Sequence, residues 1–140
     1  MKNKIAQNKD IPEMDIRRFQ TEIETWKQAL NSRMEENLLM KSRLSDILRN
    51  NYDQDSLEKI EDFQTQFIKE DELNHSLRSD VNDLDNFWYN HMFENEKMEK
   101  SFEMKMKKLS KEIANSIIRF HILKSAFNDF QYKISSKREN

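Results

Sequence analysis

This 140-residue chain contains no glycine at all, and that absence limits its possible folds more than any residue it does contain. Strands must be turned back on one another. The tight turns that do so need Gly, Asn-Gly or Asp-Gly at positions of positive φ. Without them a sheet can hardly be built. A single proline, Pro12, leaves the rest of the sequence free of helix breakers. The expected fold class is therefore all-α.

The apolar residues recur with a 3-4 spacing in three separate runs. The first passes through Ile16, Phe19, Ile23, Trp26, Leu30, Arg33, Asn37, Met40, Leu44 and Ile47. The second comprises Ile60, Phe63, Phe67, Glu70, Asn74, Leu77, Val81, Leu84, Trp88 and His91, and the third Phe102, Met106, Leu109, Ile113, Ser116, Phe120, Leu123, Phe127, Phe130 and Ile134. Such spacing keeps one helix face turned toward partner helices. Asp10, Pro12 and Glu13 form a start signal for the first helix, and Asp55 or Ser56 for the second. Asn50-Asn51-Tyr52-Asp53 reads as a loop, and a turn is expected between residues 87 and 97 rather than one continuous helix. The expected organisation is a tail over 1–9, one helical domain over 10–137 and a tail over 138–140. Helices span about 11–49, 56–91 and 97–136. Each stripe covers roughly 32 residues, or about 50 Å. Equal lengths suit an antiparallel three-helix bundle with coiled-coil-like packing.

Charge follows the same division. Residues 1–52 hold 10 basic and 8 acidic side chains, residues 53–96 hold 3 and 13, and residues 97–140 hold 11 and 5. An acidic middle segment flanked by two basic ones suggests helices that neutralise each other across hairpins.

Each stripe is interrupted by polar residues near its middle: Arg33 and Asn37, Glu70 and Asn74, and Ser116. With hairpins centred near residues 52 and 95, these interruptions fall at one height. The same register sets Phe63 against Phe127, Leu77 against Ile113 and Leu84 against Met106. An Arg33–Glu70 ion pair is expected, completed by Asn37, Asn74 and Ser116, because stripping a partner from a buried pair costs about 3–5 kcal/mol. Such a layer would fix register, as one core Asn does in a coiled coil.

Apolar residues also lie off the stripes. Ile117, Ile118 and Ile122, with Leu38 and Leu39, are the candidate interface for self-association or for another helical protein. The aromatic group Phe87, Trp88, Tyr89 and Phe93 would plug the end of the bundle near the second turn.

Signals for chemistry are sparse. There is no cysteine, no phosphate-binding loop and no nucleophile motif. Glu72 and His75 have the Glu-x-x-His spacing of di-iron helices, but the second such motif is missing. Lys97, Lys100, Lys105, Lys107, Lys108 and Lys111 make a basic run that Glu99 and Glu103 dilute, so neither nucleic acid nor a membrane surface is the expected partner. No cofactor or metal is expected. The stretch His75-Ser76-Leu77-Arg78-Ser79 resembles the His-x-Leu-Lys-Gly stretch of histidine phosphotransfer domains, departing from it at Ser79. That resemblance implies an exposed phosphoacceptor at His75 with Arg78 beside the phosphoryl group. The first ten residues lack the apolar run of a signal peptide, so the expected location is the cytoplasm. The sequence thus points to a non-catalytic interaction protein (scaffold, adaptor or regulatory subunit), with a His75 phosphotransfer domain as the alternative.

Overall fold

The computed structural model describes residues 13–50, 53–91 and 95–139, with side chains over 17–50, 53–87 and 95–137. The tail over 1–9, the start signal at Asp10 and Pro12, and the aromatic residues Trp88, Tyr89 and Phe93 lie outside the described residues or side chains. Three long helices account for nearly everything else: α1 (Glu13–Asn50), α2 (Gln54–His91) and α3 (Glu96–Glu139). Among the described residues only Asp53 and Asn95 are non-helical, and no strand occurs. The protein is an all-α helical bundle.

Local chemistry explains where the helices start. The Asn95 side-chain oxygen accepts the Met98 backbone N–H at 2.9 Å, satisfying one of the orphan donors at the start of α3. α2 starts earlier than Asp55 or Ser56: Asp53 is its flanking residue, and the Asp53 carbonyl takes the first helical bond, from Leu57 N–H at 2.9 Å. Ser56 is buried, its hydroxyl 3.4 Å from the Asp53 carboxylate, to which it donates. At its other end α1 closes with Arg49 in the last turn, where a cation complements the helix dipole.

Contacts divide the chain into two compact units, each drawing on all three helices. Unit 1 combines Met1–Asn31 with Ser76–Ile113, and unit 2 combines Ser32–His75 with Ala114–Asn140. The core of unit 1 is mainly aliphatic: Leu30, Leu77, Val81, Leu84, Leu109 and Ile113 pack with Trp26 and Phe102. Phe19 meets Phe102 edge-on at 5.2 Å and Phe87 stacks on it at 6.3 Å. The core of unit 2 is aromatic. Phe63 lies 5.4 Å from Phe127 and 5.2 Å from Phe130, and Phe67 meets Phe127 edge-on at 5.0 Å. The Phe63–Phe127 pairing is the one the sequence register anticipates. Every stripe residue whose side chain is described is buried, except Phe19 and Ile47, which are half-buried near the ends of α1.

Candidate functional site

The polar interruptions collect in unit 2. Arg33, Asn37, Glu70, Asn74 and Ser116 are all buried there, each on its helix's inward stripe. Their partners differ from those expected. Arg33 donates through Nη1 to the Ser116 hydroxyl at 2.6 Å, and its guanidinium carbon stands 5.7 Å from the centre of the Phe120 ring. Glu70 is paired with Arg119, whose Nε lies 3.0 and 3.3 Å from the two carboxylate oxygens. The Arg33–Glu70 ion pair is thus replaced by two separate arrangements.

Glu70 takes its counter-charge from the flank: its side chain is only 6% exposed and that of Arg119 is 43% exposed, so this pair reaches the surface, while Arg33 and Glu70 both stay buried. Arg33 keeps its charge deep in the unit by using a hydroxyl and an aromatic face, both of which a cation favours. Burial pushes the Arg33 guanidinium below its ordinary value. Glu70 opposes that shift, Arg119 adds to it and Glu36 opposes it. Glu70 therefore still acts on Arg33 through space.

Asn37 has a different partner set. Its Nδ2 donates to the Phe67 carbonyl at 3.0 Å and to the Asp71 carboxylate at 2.6 Å. Both partners are acceptors, which settles the orientation of the amide. Lys41 also binds Asp71, so an Asn37–Asp71–Lys41 chain links α1 to α2. The Oδ1 of Asn37 is buried and makes no hydrogen bond among the described residues.

Neither Asp71 nor Arg119 is on a stripe, and both escaped the sequence reading for that reason. The register that sets Asn74 against Ser116 also carries Glu70 to within one residue of Arg119. Applying it to flanking positions would have found the pair.

This cluster has little chemical reach. Ser116 is fully buried, and its hydroxyl accepts from Arg33. The described histidines lie elsewhere: His75 and His121 are exposed. His75 stands on the outside of α2 with Glu72 exposed one turn before it and Arg78 half-buried one turn after. Arg78 also lines a groove of about 90 Å³ with Lys27, Asn31 and Asn82 in unit 1. No group of three or more metal-ligating side chains occurs among the described residues, and none of their helices is long and apolar enough to cross a membrane.

The second feature of unit 2 is its outer surface. Ile117, Ile118, Ile122, Leu38 and Leu39 are each at least half exposed. Leu48 and Ile68 are also exposed and line an open groove of about 200 Å³ between α1 and α2. Around Ile118 and Ile122 the helix carries two charges, Arg119 and Lys124, and both turn sideways: Arg119 to Glu70 on α2, Lys124 to Glu36 on α1 at 3.2 Å. The outer face between them is left neutral. Comparison with protein-family models, with curated proteins and with solved structures finds no match.

Proposed function

We propose that this protein is a non-catalytic helical bundle that acts through protein–protein contact, as a small scaffold, adaptor or regulatory subunit, and that it self-associates through unit 2. The observation that carries the reading is the neutral, apolar outer face around Ile118 and Ile122, 60% and 64% exposed, in a chain of which 36% is charged. Ile118 and Ile122 are one helical turn apart, and exposed apolar surface that gathers in this way marks interaction sites. The reading includes a cytoplasmic location, which fractionation of the tagged protein would test.

An antiparallel, coiled-coil-like arrangement within unit 2 belongs to the same proposal. Its support is the order of contacts: as numbers rise along α2 they fall along α3, from Asp53 with Lys137 through Phe63 with Phe127 to Glu70 with Arg119. Between α1 and α3 they rise together, Arg33 with Ser116 and Glu36 with Lys124.

Light scattering across a concentration series tests the function. Mass that grows with concentration to twice 17.1 kDa supports self-association, and a constant monomer mass overturns it. Because His75 is exposed, phosphotransfer remains the second reading. It requires an acid-labile phosphoryl group on His75 after incubation with a small phosphodonor, absent in His75→Gln.

A further inference from the structure

On the outer side of α3, opposite the inward stripe, runs a second series with the same 3-4 spacing: Lys111, Asn115, Ile118, Ile122, Ser125 and Asp129. All six are exposed. Among the described residues neither Lys111 nor Asp129 has an ion-pair partner, although lysines and carboxylates nearby do. The series reads the same in both directions: charge, amide or hydroxyl, Ile, Ile, hydroxyl or amide, charge. Only the signs at its two ends differ.

We infer that this face of α3 pairs with α3 of a second copy, antiparallel, about a two-fold axis near residue 120. The inference rests on the self-association proposed above and names its geometry. Turned over on itself, the series brings Ile118 onto the partner's Ile122, Asn115 onto the partner's Ser125 and Lys111 onto the partner's Asp129. An isologous interface requires such self-complementarity. Parallel pairing would set Lys111 on Lys111 and Asp129 on Asp129, which like-charge repulsion rejects. An unrelated partner would have no reason to match a palindromic pattern of opposite end charges. Flanking residues agree: Ala114 falls beside the partner's Ala126, and small side chains allow the helices to approach. Beyond the series Lys107 would meet the partner's Lys133, which limits the interface to about five turns.

Charge exchange tests the pairing on the intact chain, with circular dichroism to show that helicity is kept. Lys111→Glu or Asp129→Lys alone should raise the dimer dissociation constant roughly tenfold, because two-fold symmetry counts each altered pair twice. The Lys111→Glu/Asp129→Lys double variant should return close to the wild type. Since the chain has no cysteine, a second measurement is direct. Mixed Ile118→Cys and Ile122→Cys chains should oxidise to the unlike cross-link in preference to either like one. A dimer indifferent to the exchange and without that preference overturns the α3 pairing while leaving self-association intact. A monomer at every concentration overturns both.

Discussion

Unit 1 and unit 2 each bury ten apolar side chains in their core clusters, but they differ in almost everything around those cores. All six buried polar residues among the described ones are in unit 2, and so are ten of the eleven exposed large apolar residues, Met104 being the exception. Among the described residues unit 1 therefore follows the simple division of apolar inside and polar outside, and unit 2 departs from it at both levels. Buried polar groups contribute less stability than apolar ones but penalise wrong registers. Exposed apolar groups contribute nothing to the isolated fold and favour association. With equal numbers of apolar core residues in the two units, the differences in unit 2 accord with the proposed roles in register and contact.

Substitutions in each unit put that contrast to the test. The largest effects belong to the cores, where the units should behave alike. Phe67→Ala in unit 2 and Phe102→Ala in unit 1 should each cost about 3–5 kcal/mol in urea denaturation, since both rings are fully buried. A much smaller loss for one of them would mean that the two cores are unequal.

Next comes the polar layer. Arg119→Ala leaves Glu70 buried without its cation and should cost about 1–3 kcal/mol, less than a fully buried pair because Arg119 is half exposed. Arg33→Met should cost about 1 kcal/mol or less, as it removes a buried charge together with its single bond to the Ser116 hydroxyl. The reverse order of costs would restore the Arg33–Glu70 pairing.

Surface changes should separate stability from association. Ile118→Lys with Ile122→Lys should change stability by no more than about 0.5 kcal/mol yet yield a monomer by light scattering. Met104→Lys in unit 1 should alter neither. The half-exposed Lys27–Asp85 pair of unit 1, at 2.6 Å, should contribute only about 0.2–1 kcal/mol, as Lys27→Ala would show. Lys41→Ala should cost more, because it also loosens Asp71 and through it Asn37.

The smallest effect is one of pH. Burial raises the Glu99 carboxyl above its ordinary value, and the neighbouring Glu96 and Glu103 charges raise it further. A raised folded value means that stability is lost as pH climbs through the carboxylate range. Glu99→Gln should therefore be slightly more stable than wild type near neutral pH and indistinguishable from it in acid, as thermal melts at the two pH values would show.

Much of this was legible beforehand, for identifiable reasons. The three stripes were readable because burial repeats with the helix period, and Ile23, Phe67 and Phe127 each fall where that period puts them. Arg33, Asn37, Glu70, Asn74 and Ser116 stood out as exceptions to it. The start of α2 at Asp53 was missed because Asp55 and Ser56 carry equally good capping side chains, and sequence alone does not rank them. The partners Arg119, Asp71 and Lys41 were missed because flanking positions carry no periodic signal.

Helicity, helix number and the identity of the inward faces are therefore properties of the chain as written. They depend on local backbone preference and on a period that any one helix expresses alone. Which buried charge meets which partner was decided only in three dimensions. Glu70 lies within one residue of register of both Arg33 and Arg119, and the packed side chains decided between them, because a spacing rule fixes height along a helix but not which way a long side chain reaches: Arg119 Nε comes within 3.0 Å of the Glu70 carboxylate and Arg33 turns to Ser116.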